Sequence, residues 1–125
     1  MEEILKIGRE FVEAMNERRG FAQVAEVYDD KAQSVEAVVP PGRDVRVAKG
    51  RDAIKAKRED WAQTHEIHEL VADGPYVHPP NQFAVRFSAE VTQKATGQRI
   101  TLKEIAVYSV EDGKIIREEF FMLPR

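Results

Sequence analysis

The stretch QFAVRFSAEVTQK, Gln82 to Lys94, decides the fold. Phe83, Val85, Phe87, Ala89 and Val91 occupy every second position, with Ala84, Arg86, Ser88, Glu90 and Thr92 between them. That period of two is a strand with one buried face and one polar face. Downstream, Arg99–Val110 repeats the pattern with Leu102, Ala106, Tyr108 and Val110, and Lys114–Met122 follows. Upstream, Glu66–Asp73 completes a meander of four strands. The breaks at Gly74-Pro75, Pro79-Pro80-Asn81, Thr96-Gly97 and Asp112-Gly113 carry the residues that tight turns require.

The first half of the chain reads as helices. Glu2–Arg19 carries an apolar stripe at Ile4, Ile7, Phe11 and Met15, and Gly20 is its expected stop. A second helix is expected with Phe21, Val24, Ala25 and Tyr28 on one face. A short strand, Ala32–Val39, precedes a loop at Pro40-Pro41-Gly42. A third helix starts after Gly50, with Ile54 and Trp61 facing inward. Its Lys55, Lys57 and Arg58 suit either an anionic ligand or, more simply, a solvated face balanced by Glu59 and Asp60. Three helices and a mostly antiparallel sheet make one α+β domain spanning residues 1–125.

Composition narrows the function. The 125 residues hold 22 acids and 19 bases, for a net charge of −3, which argues against nucleic acid as a partner. The chain has no cysteine, so thiolate catalysis and cysteine metal sites are excluded. No apolar run approaches a membrane span, and the acidic start MEEILKIGRE is unlike a secretory signal. A cytoplasmic protein without a membrane partner is expected.

The helices must cover the apolar side of the sheet, which sets Glu104 among hydrophobic neighbours. A buried carboxylate is expensive unless it is paired. A three-residue loop at Glu111-Asp112-Gly113 would pair Val110 with Lys114, Glu104 with Phe120, Ala106 with Glu118 and Tyr108 with Ile116. Glu118 then joins Glu104 on the inner face, whereas a slip by one residue would bring Glu119 there instead. His68, alternating with Leu70 and Ala72, is expected to point inward, either as a catalytic group or as a hydrogen-bonded structural histidine. His65 and His68 fall on opposite faces of a strand, so His65-Glu66-Ile67-His68 is not read as a metal site, and no cofactor is expected.

The ordered set of Tyr28-Asp29-Asp30-Lys31-Ala32, GRDAIKAKREDW, FAVRF and VEDGKI resembles the SnoaL-like and ketosteroid-isomerase-like branch of the nuclear transport factor 2-like superfamily. The resemblance implies a cone: a curved sheet wrapped around three helices, with a small-molecule site inside and a homodimer formed through the outer face. Aligned from Tyr28 and Ala32, the isomerase's general base falls on Glu36. Its acidic oxyanion donor falls on Ala106, and its helical tyrosine donor falls near Val12 or Glu13. Without those donors, steroid isomerisation is not implied.

The expected activity is general acid–base catalysis on a small hydrophobic carbonyl compound, of isomerase, cyclase or hydratase type. Glu36, His68 and Glu104 are the catalytic candidates, and Tyr108, Glu118, Trp61, Phe87 and Phe120 are the substrate-binding ones. A non-catalytic binding or interaction module on the same fold fits the same residues, and the sequence leaves both open. The expected dimer face carries Ile105, Val107 and Phe121 among Lys103, Ser109, Arg86, Arg117 and Glu119.

Overall fold

The computed structural model describes residues 2–39 and 46–123. Helix α1 (Glu2–Asn16) is followed by a single-turn helix α2 (Phe21–Val24) and a 3-10 turn, Ala25–Val27. Strands β1 (Tyr28–Val35) and β2 (Val47–Lys49) precede helix α3 (Arg51–Thr64). Strands β3 (His65–His78), β4 (Gln82–Gln93), β5 (Arg99–Glu111) and β6 (Lys114–Met122) complete the chain. All six strands form one sheet in the order β2-β1-β6-β5-β4-β3. Every pairing is antiparallel except β1 with β6. This is the α+β architecture expected, a mostly antiparallel curved sheet with the helices on one face.

The alternation in β4 places its apolar face as read. Phe83, Val85, Phe87, Ala89 and Val91 are all buried, while Arg86 is exposed. On β5, Ala106, Tyr108 and Val110 are buried on the same side. Phe11 of α1 closes this layer. Its ring lies 4.7 Å from Tyr108 and 6.1 Å from Phe83, and Phe83 stacks on Tyr108 at 4.8 Å. Each buried phenylalanine contributes roughly 2–3 kcal/mol of transfer free energy. Gly8, one turn before Phe11 and Val12, lets α1 approach Pro75 of β3 so closely that a Cβ there would stand 2.7 Å from the proline ring.

Several boundaries differ from the sequence reading. The expected second helix is only one turn long, and Tyr28 opens β1 instead of closing a helix face. Strand β1 therefore ends at Val35 rather than Val39, and the Pro40-Pro41-Gly42 loop lies outside the described residues. Gly20 is not the stop of α1. Arg18 takes the left-handed conformation (φ 56°), with Arg19 N–H bonded to Ala14 O and Arg18 N–H to Met15 O. Strand β2 went unforeseen, since three residues show no period. Gly74-Pro75 is an irregularity within β3 rather than a turn: pairing resumes from Asp73–Arg86 to Tyr76–Ala84, with Gly74 at φ 140°.

The last hairpin is shorter than expected. Glu111 pairs with Lys114 across a two-residue Asp112-Gly113 turn, both at positive φ, and a bulge follows between Ser109 and Val110. The register beyond it is Tyr108–Glu118, Ala106–Phe120 and Glu104–Met122. It differs by two residues from the expected one, and two is a full period, so Glu118 and Phe120 keep the inward face. Ile115, not Ile116, is the buried isoleucine.

The free edge of β3 is covered by side chains from the end of α1. Asn16 donates from Nδ2 to Ala72 O (2.9 Å) and accepts from Ala72 N–H at Oδ1 (2.7 Å). The Arg18 guanidinium donates to the carbonyls of Ile67 (3.3 Å) and His68 (3.0 Å).

Candidate functional site

Helix α3 lies over β1 and β2, and its inward stripe is Ile54, Lys57, Arg58 and Trp61. Those positions are three, four and seven residues apart, one face of a helix. Ile54 is fully buried. Lys57 and Arg58 therefore reach into the space between helix and sheet and do not make a solvated face.

Glu118 receives them. Its carboxylate is fully buried and accepts from Tyr28 OH (2.6 Å), Ser34 Oγ (2.6 Å) and Arg58 Nη2 (3.0 Å). The parallel pairing of Ser34 with Glu118 brings the serine there. Arg58 Nη2 also donates to Tyr28 OH (2.7 Å). Burial alone would raise the Glu118 pKa, but Arg58, Lys57 and the two hydroxyl donors outweigh it and hold the group below the ordinary carboxylate range. Burial likewise opposes the Arg58 charge, and the neighbouring Tyr28 and Glu118 more than compensate, so Arg58 stays charged. Burial pushes the Tyr28 phenol well above its usual range.

A second pair lies nearer to solvent. Ala32, Ser34 and Glu36 share the inward side as β1 ends, and Glu36 Oε1 meets Lys57 Nζ at 2.6 Å. The same ammonium donates to Ser34 Oγ and sits 5.1 Å from the centre of the Phe120 ring. Hydrogen bonds thus run without a break from Glu36 through Lys57 and Ser34 to Glu118.

Glu104 is different. It is half-buried on the inner face of β5, between Phe87 of β4 and Met122 of β6 in the register. No hydrogen bond or ion pair ties its carboxylate among the described residues. Burial first, and the Glu36 carboxylate second, raise its pKa to about 7, against the opposing pull of Lys57. Two carboxylates on one face thus titrate in opposite directions, because one is fully paired and the other is not.

The remaining candidates divide. Phe87 and Phe120 border Glu104 and Lys57. Tyr108 is fully buried, its hydroxyl finds no hydrogen-bond partner among the described residues, and burial raises its pKa well above the phenol range. Trp61 stacks on His65 at 4.4 Å. His68 does not point inward. Pairing jumps from Ile67–Val91 to Glu69–Glu90, and this bulge turns His68 to the outer face, exposed, with Nε2 2.7 Å from Thr92 Oγ1. A shallow cleft of about 610 Å³ near the β4–β5 turn, lined by Gln93, Gln98, Arg99 and Thr101, holds no carboxylate and stands apart from the cluster.

Sequence reading gave no site role to Tyr28 and Ser34, and it preferred a solvated face for Lys57 and Arg58 over the anion contact they make. The signal for the two cations was present: they stand three and four residues after Ile54, on the face already assigned inward.

The profile of the SnoaL-like domain matches residues 3–122. A protein from Mesorhizobium loti, provisionally named a SnoaL-like polyketide cyclase, is 38% identical, with 93% of this chain and 96% of that one covered and a TM-score of 0.83. A provisionally named isomerase from Bacillus subtilis shares 21% identity over 98% of this chain and 88% of its own, with a TM-score of 0.76. A phenazine biosynthesis-related protein from Pseudomonas aeruginosa shares 18% over 97% and 82%, at 0.69. The last two are likenesses of fold alone. A comparison with curated proteins returns no match. By profile, identity and fold, the chain belongs to the SnoaL-like family.

Proposed function

We propose that the chain is a cofactor-independent acid–base enzyme acting on a small hydrophobic carbonyl compound, with Glu104 as the group that moves the proton. The supporting observation is a half-buried carboxyl on the helix-facing side of the sheet, unpaired among the described residues and held at about 7, where it exchanges protons readily at neutral pH. Glu36, aligned with the isomerase base, is held in an ion pair with Lys57 at 2.6 Å. The Mesorhizobium relative is named for a cyclase, a reaction class that proton transfer beside a carbonyl serves.

Deuterium uptake at the α-carbon of 2-tetralone, followed by NMR in heavy water, tests the reading. The expected result is exchange faster than buffer alone, rising with pH through about 7 and lost in Glu104→Gln. Binding without exchange would favour the non-catalytic module instead.

We also propose that two copies of the chain pair as a homodimer through the outer face of the sheet. Phe121 is 47% exposed beside half-buried Ile105 and Val107, on a face that also carries Val71 and Tyr76. Light scattering should give a dimeric mass that Val107→Glu reduces to a monomer. A monomeric wild-type protein would remove the dimer.

A further inference from the structure

An enolate formed by proton removal needs a donor for its oxygen, and the positions aligned with the isomerase donors hold none. Three groups of the interior could serve. Arg58 holds Glu118 and Tyr28 with Nη2, and its guanidinium lies over the Phe21 and Tyr28 rings (5.2 and 5.6 Å) rather than over Phe120, so it acts on Glu104 less than Lys57 does. The Tyr108 hydroxyl is unpartnered but lies at the bottom of the core with no exposure, behind Phe11 and Phe83. Lys57 remains. Its side chain is 11% exposed and its partner Glu36 28%, so this end of the cluster keeps contact with solvent where Tyr108 has none. An ammonium has three N–H donors. Glu36 and Ser34 take two, and among the described residues no third acceptor is bound. Phe120, beneath the ammonium at 5.1 Å, pairs with Ala106, two residues from Glu104 on the same face of β5. Phe120 is therefore the diagonal neighbour of the proposed base, and Lys57, which sits over its ring, is the cation acting most strongly on the Glu104 carboxyl.

We propose that Lys57 donates its third N–H to the substrate oxygen and stabilises the oxyanion there, with Glu36 and Ser34 positioning the ammonium. This rests on the reading of Glu104 as the base. In the step, the α C–H bond breaks and its proton passes to the Glu104 carboxylate. The electron pair moves through the new C=C bond to the carbonyl oxygen, whose negative charge Lys57 meets. Reversal at the same or another carbon returns the proton, so no oxidant, reductant or cofactor enters the balance. Because each cation of the cluster already faces a carboxylate, the site suits a neutral compound that becomes anionic only as it reacts.

A phenol tests the donor separately from turnover, since its ionised form is a stable oxyanion. 2-Naphthol and its naphtholate absorb at different wavelengths, so titration with protein reads both binding and ionisation. The wild-type protein is expected to increase the bound naphtholate-to-naphthol ratio at least tenfold over free ligand at the same pH. Lys57→Met should bind 2-naphthol and lose that increase, while Lys57→Arg should keep part of it. Glu36→Gln keeps an acceptor for the ammonium but frees its charge, and should raise the ratio further. Binding by the wild-type protein with no rise in ionisation, or the same rise in Lys57→Met, overturns the role of Lys57 and leaves the Glu104 reading standing on its exchange assay. No binding at all by a folded wild-type protein overturns the reading of this cluster as a ligand site, and this proposal with it.

Discussion

Glu104 costs the fold stability whenever it is ionised, and replacing it should show how much. Its carboxyl is held at about 7 against an ordinary 4.5. At 1.36 kcal/mol for each tenfold change in proton affinity, the 2.5 decades between those values amount to about 3 kcal/mol. The folded state binds the proton more tightly than the unfolded chain, so this loss is absent below pH 4.5, grows between 4.5 and 7, and is complete above 7. Glu104→Gln has the same shape and no charge to desolvate. It should therefore be more stable than the wild type by up to about 3 kcal/mol at pH 8, roughly 10 °C in midpoint for a chain of this size. The two proteins should converge near pH 4.5. Urea unfolding followed by circular dichroism at half-unit pH steps measures the difference directly. Stability curves that run parallel from pH 4.5 to 8 would refute the burial argument for Glu104.

Removing the partner of a buried charge should be the opposite case. Arg58→Met leaves the buried Glu118 with two hydroxyl donors and no cation in contact; with those donors kept and Arg58 partly exposed, the loss should fall near the lower end of the ~3–5 kcal/mol range for such deletions, read by the same unfolding assay. Because Glu118 is held below the ordinary carboxylate range, its contribution is present above the unfolded value and lost as pH falls through the folded one, so the wild-type protein should destabilise in acid. Gly8→Ala should lower stability by about 1 kcal/mol despite alanine's better helix propensity, because the new methyl meets Pro75 at 2.7 Å; a rise in melting temperature would show that α1 can shift outward.

What could be read from the sequence was whatever depends on period alone. The alternation from Phe83 to Val91 sorted β4, and Glu118 reached the correct face although its partner was misjudged by two residues. Bulges defeat that logic, since each reverses facing without a local signal. One bulge carried His68 outward, and another moved the buried position from Ile116 to Ile115. Lys57 and Arg58 were assigned to a solvated face for another reason. A cation on a helix looks solvated until its acid is known, and that acid stands 60 residues away from Arg58. Tyr28 was hidden because Phe21, Val24, Ala25 and Tyr28 keep helical spacing while the chain passes from a helical turn into a strand.

The covering of β3 by Asn16 and Arg18 bears on how copies of this chain can meet. An open strand edge is a template for any extended segment that can satisfy its amides. Here Asn16 satisfies both backbone groups of Ala72, as a neighbouring strand would, and Arg18 occupies two carbonyls further along. At the opposite border of the sheet stands β2, only three residues long. Lateral growth by adding strands is therefore discouraged at both ends, and fibril-like stacking with it. Two side chains at the end of one helix thus act as a guard against the aggregation to which a long border strand would otherwise be prone.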